Sequence, residues 1–184
     1  MPPDEGLALY EAGLSSDGPL LEIGTYCGKS AVYLGAAARK RGTLLFTIDH
    51  HHGSEEMQPG WEHHDASTVD PSTGAIDSYP FFRQTMASSG LGDVVVAMVG
   101  DSVTIAKHWS TPLGFLFIDG AHSPEPSMAD YLAWSPHLKG VLAIHDVFAD
   151  PSEGGQGPYL VYCRALDDGF GDVGAHGSLR ILKR

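Results

Sequence analysis

Apolar residues along this chain gather in short, nearly unbroken runs separated by longer stretches in which they recur every third or fourth position. Pro19–Ile23, Thr43–Ile48, Val94–Val99, Phe115–Ile118 and Gly140–Ile144 are such runs. Continuous rather than alternating apolarity predicts strands covered on both faces. The stretches Asp4–Leu14, Lys29–Arg41, Tyr79–Ser89, Ser102–His108, Pro124–Trp134 and Tyr159–Leu166 carry helical spacing. Lys29–Arg41 is Ala-rich with a basic end, as helix C-termini prefer. Phe170–Leu182 reads as a closing pair of strands. Strands alternating with helices predict an α/β fold, a doubly wound, mostly parallel sheet with helices on both faces, formed by residues 1–184 as a single domain. Residues 50–78 break the pattern. They hold Gly, Pro, Ser, Asp and His with weak periodicity and are too long for an ordinary connection, so a functional loop or lid is expected there. Residues 150–158, with Glu153–Gly157 rich in glycine, are expected to be a mobile loop.

Length and charge narrow the function. A chain of 184 residues is one domain's worth. Its 23 acids against 11 bases give a net charge of −12, which argues against nucleic acid and against an anionic membrane surface. No apolar run reaches the ~18 residues of a membrane span, and Met1–Tyr10 lacks the basic and apolar regions of a signal peptide. The pair Cys27 and Cys163 is too few for a disulfide scaffold, so a cytoplasmic, reducing setting is expected. Cys27 reads as a small packed residue. Ten histidines in so acidic a chain are unusual, and His50, His51, His52, His63 and His64 fall close together.

Doubly wound sheets bind ligands beyond the C-terminal ends of their strands, and here nearly every predicted strand ends on an acid: Glu22, Asp49, Asp101, Asp119 and Asp146. After the first strand, Glu22-Ile-Gly-Thr-Tyr-Cys-Gly-Lys-Ser30 opens a helix. A phosphate loop would need one more residue between Gly24 and Gly28, and Glu22 would repel the phosphates. The Gly-x-Gly-x-x-Gly of dinucleotide folds is absent. Acid-x-Gly-x-x-x-Gly instead resembles the first motif of class I S-adenosylmethionine-dependent methyltransferases. That cofactor is cationic at its sulfonium and ammonium, so Glu22 attracts it, while Gly24 and Gly28 let the backbone approach, with Tyr26, Ser30 and Asp119 as further expected cofactor contacts. Asp49, about 20 residues on, is placed to accept from ribose hydroxyls, and Asp101 with Ser102 to accept from the adenine amine.

Phe117-Ile-Asp119-Gly-Ala-His122 and Ala143-Ile-His145-Asp146 end strands expected to be neighbours, about 4.8 Å apart. Asp119 and Asp146 supply hard oxygens suited to Mg²⁺, with His145 or His122 to complete the shell. A metal there lowers the pKa of an acceptor hydroxyl, and a histidine near neutrality takes the proton. His145 is the first candidate for that base, beside Asp119; if it ligates the metal, His122 or a lid histidine takes over.

These motifs, with Leu20–Ser30 and Val141–Val147, resemble those of the compact, metal-assisted class I O-methyltransferases: the catechol, caffeoyl-CoA and macrolide-sugar groups. The resemblance covers about residues 18–148 and implies a Rossmann-like fold, S-adenosyl-L-methionine as cofactor and Mg²⁺. Those groups commonly end the fifth strand with Asp-Asn or Asp-Asp; His145-Asp146 here leaves the third ligand open and favours a basic role for His145. Within them the chain most resembles the small sugar methyltransferases of methylmannose polysaccharides, which implies transfer to the 1-OH of a 3-O-methylmannoside in polysaccharide biosynthesis.

The 50–78 segment then reads as a lid over the site. Trp61 would offer a face to a sugar ring, His51 and His122 would line the acceptor pocket, and Glu55, Glu56, His63, His64 and Asp65 would add polar contacts. An acidic rim suits a neutral small-molecule or oligosaccharide acceptor. A homodimer is expected, since so short a chain lacks appended acceptor domains. A nucleotide-binding or hydrolysing protein built on Gly24–Ser30 and a catechol-type O-methyltransferase are the rival readings.

Overall fold

Strands apolar on both faces need two coverings, and the chain supplies them. The computed structural model describes residues 1–54, 57, 58, 60 and 64–184. Its strands are β1 (Leu20–Ile23), β2 (Leu45–Asp49), β3 (Val95–Val99), β4 (Leu113–Ile118), β5 (Leu138–Ile144), β6 (Gly171–His176) and β7 (Leu179–Lys183). Its helices are α1 (Pro3–Ser15), α2 (Lys29–Arg41), α3 (Tyr79–Ser89), α4 (Ser102–Ala106), α5 (Pro124–Trp134) and α6 (Gly157–Asp167). Successive side chains of a strand point to opposite faces, and the two cores sort accordingly. Leu20, Phe115, Phe117, Val141 and Ala143 pack with α1, α2 and α3. Leu21, Ile23, Leu116, Ile118, Leu142 and Ile144 pack with α4, α5 and α6.

One seven-stranded sheet results, in the order β3-β2-β1-β4-β5-β7-β6. The first five strands are parallel, and β7 runs antiparallel to both β5 and β6. From β1 the order runs outward through β2 and β3 on one side and through β4 and β5 on the other, so the β1/β4 pair is the topological switch point. Register aligns Ile23 with both Ile48 and Ile118, and Ile118 with Ile144. The residues that follow these four positions therefore leave the sheet side by side.

Helices Lys29–Arg41, Tyr79–Ser89 and Pro124–Trp134 form over the residues their spacing predicts. Gly28 and Gly42 bracket α2 in left-handed conformations that a Cβ disfavours. β3 departs from the expectation: as a sheet edge it leaves Val96 and Val99 exposed. Within the 50–78 segment, residues 64–78 fold on themselves. Asp65 caps a 3₁₀ turn at Ala66–Thr68, Val69 bridges Ile76, and the Asp77 N–H donates to Thr68 O at 2.8 Å. Thr68, Ile76 and Ser78 are buried. The expected contributions of Glu55, Glu56, Trp61 and His63 lie outside the described residues. Among the described residues no helix is long and apolar enough to cross a membrane.

Candidate active site

The C-terminal edge of the sheet opens into a cavity of about 660 Å³, within the usual range for a small-molecule site. Gly24 follows β1, Asp49 ends β2, Asp119 follows β4 and His145-Asp146 follow β5, and all line it. Gly24 has φ +87°, and a Cβ there would fall 2.3 Å from the Asp119 carbonyl oxygen, so glycine is what lets the β1 and β4 exits meet. Asp49 ties two loops together, accepting from the backbone N–H of Tyr26 and of His51 at 2.7 Å each. Tyr26, held at φ +48°, lines the cavity and donates to Asp65 of the 64–78 segment at 3.3 Å.

Asp119, His145 and Asp146 form a group whose ligand atoms all lie within 4.8 Å of one another. His145 Nδ1 sits 3.1 Å from Asp119 Oδ1 and 3.1 Å from Asp146 Oδ2, yet it is buried and makes no hydrogen bond of good geometry. On the other side of the ring, Nε2 pairs with Glu5 Oε2 at 2.8 Å. Burial works against a charged imidazole, but the adjacent Asp119 and Asp146 outweigh it and push the His145 pKa up to about 11. Burial also works to raise the Asp146 carboxyl, but His122 and His145 overcome it and hold that pKa well below the usual range. For Asp119 burial prevails over His145, and its pKa is raised. An orphaned imidazole nitrogen facing two carboxylates is a donor set that fits a divalent cation.

His145, expected as the base, lines the cavity with carboxylates against both ring nitrogens: Asp119 and Asp146 at Nδ1 and Glu5 at Nε2. His122 lines the cavity with its side chain about a third exposed, and its Nε2 lies 3.1 Å from Asp146 Oδ2. The Gly-rich loop, expected to be mobile, packs closely on it. The Gly157 N–H donates to His122 O at 2.8 Å, and a Cβ on Gly155 would fall 2.5 Å from His122 Cβ.

Other expected residues divide. Asp101 and Ser102 line the cavity, but Asp101 also caps α4 through the Thr104 N–H at 2.7 Å, and Ser102 Oγ donates to Asp130. Asp130, on α5 and lining the same wall, has its pKa pushed up by burial to about 6; the sequence offered no signal for it beyond helical spacing. Glu22, Gly28 and Ser30 do not line the cavity. Glu22 is buried beneath the loop, accepts from Thr25 Oγ1 at 3.3 Å and is pushed by burial up to about 8. In that position it supports the turn. Gly28 caps α2, where a Cβ would sit 3.0 Å from the Phe82 ring. His51 is likewise not a lining residue. Its φ of +61° turns the ring inward, where Nδ1 meets Ser78 Oγ at 2.8 Å and burial lowers its pKa, and His50 faces the cavity instead. Cys27 is partly buried, and burial pushes its thiol pKa up, away from reactivity.

Comparison with known proteins agrees with this architecture. The family described as "Methyltransferase domain" matches residues 21–147, from β1 to just beyond β5. CalS11, a calicheamicin methyltransferase, is 16% identical, with a TM-score of 0.68 over 97% of this chain and 77% of that one. The O-methyltransferase NovP is 15% identical, with a TM-score of 0.72 over 98% and 79%. An O-methyltransferase from Bacillus cereus, solved in complex with SAH, is 18% identical, with a TM-score of 0.67 over 100% and 82%. These structures carry the fold; the family match, over more than half of the chain, carries membership. The chain belongs to the methyltransferase-domain family.

Proposed function

We propose that this methyltransferase moves a methyl group from S-adenosylmethionine to a hydroxyl oxygen of a sugar, assisted by Mg²⁺ held by Asp119, His145 and Asp146. The observation that carries the reading is His145 Nδ1, buried, without a hydrogen bond of good geometry and 3.1 Å from each of two carboxylates that line the cavity with it. When bound, the cation supplies charge that lowers the pKa of an acceptor hydroxyl, and the cofactor supplies an electrophilic methyl.

The chain's own residues supply the rest. Asp49, beyond β2, keeps lone pairs for ribose hydroxyls after serving Tyr26 and His51. Asp101, Ser102 and Asp130 face the adenine end of the cavity. His122, oriented by Asp146 and propped by the Gly-rich loop, takes the acceptor's proton. Methyl transfer is in line from sulfur to oxygen, so the fold contributes mainly by positioning. A lid role for the 50–78 segment is supported by Gly53, Ser54 and Met57, which line the cavity, and by the Tyr26 hydroxyl, which donates to Asp65. A sugar acceptor is supported by CalS11, described also as a TDP-rhamnose 3′-O-methyltransferase, and an acceptor without negative charge by Asp49, Asp101, Asp119, Asp130 and Asp146, which line the cavity. The motif resemblance narrows the acceptor to the 1-OH of a 3-O-methylmannoside.

Mass spectrometry of reactions with free sugars, 3-O-methylmannosides and catechols tests the reading. One added methyl on the mannoside is expected, lost with EDTA and restored by Mg²⁺. Methylation of catechols alone would overturn the acceptor, and full activity in EDTA would overturn the metal.

A further inference from the structure

α1 packs on one face of the sheet, and its first turn, at the C-terminal edge, delivers a carboxylate behind the metal-ligand group. Asp4 and Glu5 both lie in its first turn, where the helix dipole favours acids. That accounts for the exposed Asp4. It does not account for Glu5, which is only 2% exposed, since burying a carboxylate is costly unless it is hydrogen-bonded and paired. The structure supplies three such contacts. Oε1 accepts from the Ser178 backbone N–H at 2.7 Å and from Ser178 Oγ at 3.1 Å, and Oε2 pairs with His145 Nε2 at 2.8 Å. The space is made by Gly177, whose φ is +53° and on which a Cβ would fall 2.3 Å from Glu5 Oε1. Ser178 also links the carboxylate to the site, its Oγ lying 3.2 Å from Asp146 Oδ1.

Donor and acceptor roles follow without choice. A backbone N–H only donates, so Oε1 is an acceptor. An ionised carboxylate only accepts, so the Nε2 facing Oε2 must carry the hydrogen. A neutral His145 held this way has one tautomer, with its lone pair on Nδ1.

We propose that Glu5 is the positioning residue of the metal site: it holds the proton on His145 Nε2 and so directs the Nδ1 lone pair between Asp119 and Asp146. The arrangement is a carboxylate–histidine–metal relay whose outer member lies 140 positions from the histidine it orients. It rests on the metal reading above.

Glu5→Gln is the test, because it keeps the size and reverses the logic. The Gln carbonyl must still accept from the Ser178 N–H, so the amide NH₂ faces Nε2 and forces the proton to Nδ1. An amide in place of such a carboxylate is known to impose the wrong tautomer on a catalytic histidine. Nitrogen-15 NMR of the Mg²⁺-loaded wild type should show His145 protonated at Nε2 and not at Nδ1, and Glu5→Gln should show the reverse. By calorimetry the variant should bind Mn²⁺ about 10- to 100-fold more weakly, while its affinity for S-adenosylhomocysteine stays that of the wild type. Wild-type Mn²⁺ affinity in a folded Glu5→Gln, with the proton still on Nε2, would make Glu5 a structural anchor only and overturn the proposal. A proton on Nδ1 of the Mg²⁺-loaded wild type overturns it as well, even if the variant does not fold. No Mn²⁺ binding by the wild type overturns the metal reading together with this inference, whereas metal binding with the wrong tautomer overturns this inference alone.

Discussion

Glu22 and the two site histidines show how burial and partners decide what one residue does. Burial keeps Glu22 protonated up to about pH 8, whereas an unfolded chain releases that proton near 4.5. Its contribution to stability is therefore complete below pH 4.5 and is lost as pH rises toward 8. Glu22→Gln does not titrate, so its Tm relative to wild type, measured in EDTA, should rise between pH 5 and pH 9. A constant difference would mean that Glu22 is ionised in the fold. His122→Ala should lower kcat by about 10²–10⁴-fold, the usual worth of a general base, and weaken Mn²⁺ binding far less than loss of a ligand does. His145→Ala should abolish Mn²⁺ binding. Calorimetry beside turnover separates the two, and equal loss of metal by both variants would contradict the roles assigned. Gly24→Ala should destabilise by at least the 1–3 kcal/mol of a forced left-handed residue, because its Cβ also meets the Asp119 carbonyl; urea titration reads this directly.

Loops set the position of side chains that strands only aim. The Gly-rich turn before α6 touches His122 through backbone atoms, and a methyl group on Gly155 has no room without moving that histidine. Gly155→Ala should therefore reduce kcat by up to about 100-fold, the cost of roughly an ångström of misplacement, with unchanged affinity for S-adenosylhomocysteine. Unchanged turnover would show that His122 is not held by this loop. On the opposite side, the 64–78 segment is anchored by Thr68, Ile76 and the Tyr26–Asp65 hydrogen bond. It is a folded flap on a buried base, with His51 and Ser78 as part of that base.

At the scale of the molecule, the sheet's C-terminal edge collects negative charge from distant parts of the chain. Glu5, Asp119 and Asp146 all face the single imidazole of His145. A bound cation relieves that imbalance, so Mg²⁺ should raise Tm, by an amount equivalent to about 2.7 kcal/mol at one hundred times its Kd. NaCl of equal ionic strength should not. The increment should vanish in Asp119→Asn and Asp146→Asn, and its persistence there would place the ion elsewhere.

Strand and helix identities, the parallel sheet and the strand-end acids Asp49, Asp101, Asp119 and Asp146 were legible in the sequence. They depend on local periodicity and on the rule that such sheets bind ligands beyond their strand ends. Other features were not legible, because they depend on which distant atoms meet. Nothing around Glu5 announces that α1 passes over β5, nor that Gly177 vacates the space its carboxylate fills. Nothing in the His50-His-His52 run says that a positive φ turns the middle ring into the core. Glu22 matches a ligand-binding motif, yet tertiary packing buries it in neutral form under the loop. The sequence by itself determined the scaffold and the neighbourhood of the chemistry. The proposed division of roles, His145 to a metal and His122 to the proton, draws on the tertiary structure, because burial and neighbouring carboxylates distinguish the two imidazoles.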